Sequence, residues 1–281
     1  MTSTEWPDIN DSWHDSHVVS ALAAPATWAP RLGVQQLTAT GLIRGASEAG
    51  WRWLFDVGDV SPAFNPGHSH SDVLSLMLHW TNDAILVDPG VLHYSPNDER
   101  RFLRSCHAHN GPCLASEDHT EFAGSFRVGR SVGAVDVAVS ETEGEPQARG
   151  SYCYPRGVAI HRRLSVAGNT VRLVDTWTSR SGRPIVPWLR FLWAFEPSQL
   201  EVMFPHVQSL VFTTKPTASG SRWGVSMIVR GVERPRLSVG ESFRAREFGR
   251  TVPATETVFT ASCNGAEISV ETSITRLTLE P

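Results

Sequence analysis

The stretch VAIHRRLSVAGNTVRLVDTW, residues 158–177, decides the fold. Val158–Val166 and Thr170–Trp177 are strand-forming runs, and Ala167-Gly168-Asn169 between them supplies a turn, so the whole reads as a β-hairpin. The same texture extends in both directions. Leu74, Leu76, Leu78 and Trp80 alternate with Ser75, Met77 and His79, the period of two expected of a strand with one buried face. Ala84–Val87 is a second apolar run, ended by the turn signal Asp88-Pro89-Gly90. Trp188–Phe195, Gln208–Thr213, Trp223–Val229, Thr257–Ser262 and Ile268–Thr275 read as further strands. Neither a long capped amphipathic helix nor a repeat of fixed period competes with them. Many short strands separated by turns predict an all-β fold, a large antiparallel β-sandwich of two packed sheets.

Residues 1–35 differ from the rest. Trp6, Trp13 and Trp28 punctuate a segment containing Pro, Ala and Asp, with one short helical candidate around Ser16–Ala23. It reads as an N-terminal extension packed on a single β-sandwich domain of residues 36–281. A length of 281 residues, 41% of them hydrophobic, is enough for a substantial core. The net charge of −4, with no basic block, excludes a nucleic-acid surface, which needs a phosphate-neutralising stripe of Lys and Arg. No run approaches the roughly 18 apolar residues of a membrane span. The start, MTSTEWPD, lacks the basic and apolar regions of an export signal, so a cytoplasmic protein is expected. Cys106, Cys113, Cys153 and Cys263 form no CxxC pair, so they read as free thiols rather than a zinc ribbon or a disulfide framework.

The chemical signal is where histidines fall. Seven of the eleven lie between His68 and His119. His68 and His70 form an HxH directly before a strand, and in extended backbone residues i and i+2 share a face, so both imidazoles can converge on one site. His107 and His109 repeat the arrangement. Between the pairs, Asp88 ends a strand at a Pro-Gly turn. Two or three imidazoles with one carboxylate suit tetrahedral zinc with a position left for water or substrate. Unrelated polar residues at a sheet edge give the same spacing.

Pro66-Gly67-His68-Ser69-His70-Ser71-Asp72-Val73-Leu74-Ser75 resembles the GHxHxDxLS signature of heparinase II/III and related alginate lyases. Leu86-Val87-Asp88-Pro89-Gly90 resembles the LVDPG strand and turn that follows it. Arg101-Phe102-Leu103-Arg104-Ser105-Cys106-His107-Ala108-His109-Asn110 resembles the yxRSTxAHN segment, with Cys106 where Thr is usual. Gly124-Ser125-Phe126-Arg127 and His161-Arg162-Arg163 also fit. The resemblance implies the C-terminal β-sandwich of that family, and a zinc ion (Zn2+) held by His70, Asp88 and His109, with His107 and His119 as rivals for the third ligand. It places His68 at the substrate.

Family members eliminate across a carbon–oxygen bond. A base removes the proton α to a uronate carboxylate, and stabilising the developing enolate is the critical element. The resemblance implies a Tyr as base or acid, and Tyr94, just after the DPG turn, is the candidate; a Tyr packed at a strand end is the other reading. Arg104, Arg101 and His107 are the candidate substrate-binding groups, Arg104 through a bidentate grip, with an ion pair to Asp98 or Glu99 as its alternative. Trp51, Trp53, Trp188 and Trp193 either stack on sugar or fill the core. The family's helical toroid precedes the sandwich, and thirty-five residues are too few for it. The expectation is therefore a zinc-containing lyase that eliminates water or a glycosidic oxygen from a small sugar-derived or uronate-like substrate, as a homo-oligomer, most simply a dimer. A non-catalytic carbohydrate-binding or partner-completing subunit and a zinc-dependent hydrolase are the alternatives.

Overall fold

The hairpin at residues 158–177 lies in the middle of one of two large antiparallel sheets. The computed structural model describes residues 31–60, 66–180, 182–264 and 267–277. The helical candidate at Ser16–Ala23 and the tryptophans at 6, 13 and 28 fall outside them. In spatial order, the hairpin's sheet runs β14 (Leu200–His206), β15 (Ser209–Thr214), β16 (Arg222–Arg230), β19 (Glu267–Leu277), β12 (Thr170–Ser179), β11 (Val158–Ala167), β10 (Glu145–Cys153) and β9 (Val135–Thr142). The other runs β1 (Gly33–Leu37), β2 (Leu42–Ala46), β3 (Trp51–Asp56), β4 (Leu76–Trp80), β5 (Asp83–Leu86), β13 (Pro187–Trp193), β18 (Arg250–Thr260) and β17 (Arg236–Glu247), with β6 (Pro112–Leu114) paired to β13. A small ribbon, β7 (Phe122–Ala123) and β8 (Arg127–Val128), stands apart. The first strand begins at Gly33, ahead of the boundary placed at residue 36.

The sheets bury their facing sides against each other. Phe55, Leu78, Phe191 and Trp193 of one meet Leu164, Leu173, Trp177 and Val225 of the other in a single core, as period-two alternation requires. Trp51 and Trp223 touch across the gap with ring centroids 5.4 Å apart, and Trp51 Nε1 donates to the carbonyl of Gly168 in the hairpin turn at 3.2 Å. Trp51, Trp53 and Trp193 are therefore core, while Trp188 is half-buried against His107. Among the described residues no helix is long and apolar enough to cross a membrane.

Two departures from the sequence reading shape the site. The strand expected from Leu74 starts at Leu76, because Leu74 sits in the left-handed region at φ 64° and its N–H bonds the carbonyl of Asp56. A branched side chain there is strained unless its surroundings hold it. The second is a seven-residue helix, α1 (Asp98–Arg104), capped by Asn97, whose side chain accepts the Arg100 N–H at 2.9 Å.

Candidate active site

The HxH segment, the DPG turn and the AHN segment have little regular structure, and buried arginines hold them. Arg162 of β11 reaches from the hairpin sheet to the carbonyls of Leu74, at 2.9 Å, and Asn110, while its Nε and Nη2 engage the directly opposed Asp175 at 2.6 and 2.9 Å. Both partners of that pair are fully buried. Arg190 of β13 bonds Glu256 at 2.8 Å and the carbonyl of Ala108, which lies between His107 and His109. Arg104 donates to the carbonyls of Ser69, Gly124 and Ser125 at 2.9, 3.1 and 2.7 Å and lies over the Phe122 ring. Asn110 completes the frame: its amide gives to Leu76 and Val87 carbonyls and its oxygen accepts the Leu192 N–H, joining β4, the end of β5 and β13.

This frame brings His70, Asp88 and His109 together, each 9% exposed or less. The Asp88 carboxylate takes the Gly90 N–H at 2.9 Å through one oxygen and His109 Nδ1 at 2.7 Å through the other. The turn needs its glycine, because a Cβ on Gly90, at φ 71°, would meet the Ala245 carbonyl at 2.4 Å. Burial disfavours the Asp88 anion, but the His109 charge and hydrogen bond, with the Gly90 N–H, more than reverse this and leave its pKa below the ordinary carboxylate value. Burial likewise opposes the His109 cation, and Asp88 overcomes it, so His109 titrates above an ordinary imidazole. The His70 ring lies 5.3 Å from His109, and Arg100 Nη1 is 3.2 Å from His70 Nε2. Asp56 and Asp72 line a pocket with Asp88; burial, then the Asp72 charge, pushes Asp56 well above the usual range.

The donors of this trio suit zinc. One feature of the fold supports a cation beside them: Nε2 of His109 is buried and has no hydrogen-bond partner among the described residues. Its other nitrogen is bonded to Asp88, so with a cation on Nε2 the Asp88 carboxylate would orient the imidazole rather than bind the ion. Arg100, which can only donate, occupies His70 Nε2, and the three side chains do not turn their donors to one ion in this arrangement.

Above the buried trio stand the exposed His68 and the half-buried Tyr94. The Tyr94 hydroxyl lies 3.4 Å from His68 Nδ1, with the rings edge to face at 5.7 Å. The Arg100 guanidinium lies 5.0 Å from the centre of the Tyr94 ring, so one arginine touches both Tyr94 above and His70 below. Phe126 and Phe248, 51% and 47% exposed, flank Tyr94 at 5.8 and 5.5 Å.

Arg100 is the residue the sequence reading missed. Arg100 and Arg104 are four apart and share the buried face of α1, whereas Arg101 lies outside it, paired with Asp98 and 75% exposed. The reading assigns Arg104 a grip on substrate; the structure leaves it 1% exposed and commits it to backbone carbonyls, with neither Asp98 nor Glu99 as the partner. His107 faces away from the trio, with Nε2 3.0 Å from the Leu114 carbonyl and its ring edge-on to Trp188. His119 packs against Tyr152, and burial lowers its pKa to about 4. The four cysteines are free thiols, but Cys106, His107 and Cys113 bring their donor atoms within 4.8 Å of one another, which the absence of a CxxC pair had concealed.

Comparison with known proteins agrees with this architecture. The chain superposes on a heparinase III crystal structure with a TM-score of 0.75 at 12% identity, covering 100% of this chain and 46% of that one. For the heparan sulfate lyase HepC of Pedobacter heparinus the TM-score is 0.65 at 13% identity, covering 90% and 38%. A heparinase III with methylated lysines gives 0.68 at 11% identity, covering 93% and 38%. The chain thus spans less than half the length of these structures, and identities this low speak for the fold alone. No curated protein sequence matches. The profile of the family described as Heparinase II/III-like, C-terminal, matches residues 24–273. The chain therefore belongs to the heparinase II/III-like C-terminal family.

Proposed function

We propose that this chain is a carbon–oxygen lyase that eliminates a hydroxyl or glycosidic oxygen β to the carboxylate of a sugar-derived substrate. The observation that carries the reading is the contact between Tyr94 and His68 directly above Arg100 and His70. A phenol beside an imidazole can take a proton from carbon and return one to a departing oxygen, with His68 as its exchange partner. Arg100 supplies fixed positive charge one layer below, where charge develops on the enolate. His109 would bind a zinc ion through Nε2, with Asp88 orienting its ring, and the ion would supply Lewis-acid stabilisation of substrate oxygen or pinning of the segment ends.

Elimination from a ring uronate leaves an alkene conjugated with the carboxylate, which absorbs in the ultraviolet. Elimination of water from an open-chain sugar acid leaves an enol that becomes a 2-keto acid, and hydrolysis gives neither. Zinc-loaded protein is offered uronate oligosaccharides and single sugar acids while absorbance is followed. His68→Ala and Tyr94→Phe are expected to slow turnover by about 100-fold or more at unchanged Tm. Full activity in both variants would overturn the assignment, as would the absence of new absorbance with every uronate tried. A binding-only reading is favoured by the exposed rings of Phe126 and Phe248 beside Tyr94. It requires saturable sugar binding without alkene, lost when either phenylalanine becomes alanine.

A further inference from the structure

We infer that Cys106, His107 and Cys113 form a second, sulfur-rich site for one zinc-class divalent cation, separate from the histidine–aspartate trio. Two thiols and an imidazole are the donors that borderline and soft metals select. Tetrahedral zinc at ordinary bond lengths puts neighbouring donors about 3.5–3.8 Å apart. The three donor atoms already lie within 4.8 Å of one another, so shifts on the order of 1 Å at each side chain close the set. Cys106 and Cys113 are 2% and 1% exposed, so the site is dry on the sulfur side.

The surroundings fix each donor. Cys113 lies in β6, registered against Trp188 of β13, and its carbonyl accepts Trp177 Nε1 at 2.7 Å. On either side, the Tyr152 hydroxyl bonds the Pro112 carbonyl at 2.8 Å and the Leu114 N–H bonds the Tyr154 hydroxyl at 3.1 Å. Cys106 is anchored through its N–H to the Asp118 carboxylate at 3.2 Å. His107 holds Nε2 3.0 Å from the Leu114 carbonyl, which keeps the proton on Nε2 and leaves the Nδ1 lone pair as donor. A backbone carbonyl on the non-ligating nitrogen is the usual way a metal-binding imidazole is oriented. Water or the Asp118 carboxylate completes the fourth position. The proposal rests neither on the elimination chemistry nor on a metal at His70, Asp88 and His109. A cation here would tie the end of α1 to β6 and so fix the segment that carries His109.

Cobalt(II) titration of the reduced, metal-stripped protein tests this, because thiolate–cobalt charge-transfer absorbance arises only from sulfur ligands. One equivalent is expected to develop that band with tetrahedral d–d absorption. Cys106→Ser and Cys113→Ser should weaken binding by about 10-fold or more and diminish the band, while His70→Ala should leave it intact. His107→Gln keeps both thiols at a partly exposed position and should weaken binding by a similar factor, so the test does not depend on a serine tolerated in the core. The proposal is overturned if the reduced wild type gives no charge-transfer band, if the band survives unchanged in both cysteine variants, or if freshly isolated protein carries a Cys106–Cys113 disulfide by peptide mass.

Discussion

His70, Asp88 and His109 are buried, and neighbouring side chains and strand ends determine the position of each. His68, Tyr94 and Arg101 lie a few residues away in sequence, yet His68 and Arg101 are exposed and Tyr94 is half-buried, between His68, Arg100, Phe126 and Phe248. The buried half of the site is part of the folding problem, because its charges are tolerable only while all partners are present. The exposed half is nearly free of that constraint. Damage to the lower layer should therefore register as lost stability, and damage to the upper layer as lost chemistry.

The strongest way to break this contrast is Arg162→Ala. It leaves Asp175 buried without its bidentate partner and releases the carbonyls of Leu74 and Asn110. Burial already pushes the Asp175 pKa up, and Arg162 only partly restores it, so the bare carboxyl would be carried at high cost. Removing one member of such a pair costs about 3–5 kcal/mol, and denaturant melts should show a loss of that size. Arg162→Met with Asp175→Leu should recover much of the stability but not the geometry, since no donor remains for the two carbonyls. A loss below about 1 kcal/mol in the single variant would show that the clamp is dispensable.

The same contrast explains what the sequence disclosed. Hairpin 158–177 was legible because strand propensity, turn chemistry and burial agree there, whereas alternation left Trp51, Trp53 and Trp193 open between core and sugar stacking until their burial was seen. The histidines and Asp88 stood out through chemical type and motif order. Arg100 did not, because its role depends on a helix of seven residues, too short for a hydrophobic period to emerge. Arg104 shows the related case: an arginine bonded to carbonyls of Ser69, Gly124 and Ser125 looks in sequence like one that grips a ligand. Cys106 and Cys113, seven apart, meet only because β6 is registered on β13.

A smaller effect separates the buried His109 from the half-buried His79. His109 beside Asp88 is favoured as the cation, whereas His79 on β4 is held neutral, first by burial and then by the charges of Arg244 and Arg52, with its pKa lowered from 6.5 to about 4. Below pH 6.5 the unfolded chain takes a proton at His79 that the folded chain refuses until about pH 4. Its contribution is thus present above 6.5 and lost as the pH falls through that window, up to on the order of 3 kcal/mol. His79→Gln should flatten the acid side of the stability profile relative to wild type. Parallel profiles from pH 7 to pH 4 would show that the folded protein accepts the proton.

The smallest effect is expected at Arg101, where the two halves are most easily confused. It sits in the motif segment between Arg100 and Arg104, and its residue type alone suits carboxylate recognition. In α1, however, it lies off the face that carries Arg100 toward Tyr94 and His70, and it pairs with Asp98 at the surface. Exposed pairs at this spacing contribute little, so Arg101→Ala should shift stability by no more than about 0.5 kcal/mol. If turnover belongs to His68 and Tyr94 with Arg100 beneath them, KM for a uronate substrate should also stay within about 2-fold. A rise of about 10-fold in KM at constant kcat would instead place Arg101 on the substrate carboxylate and extend the exposed half of the site along the outer face of α1.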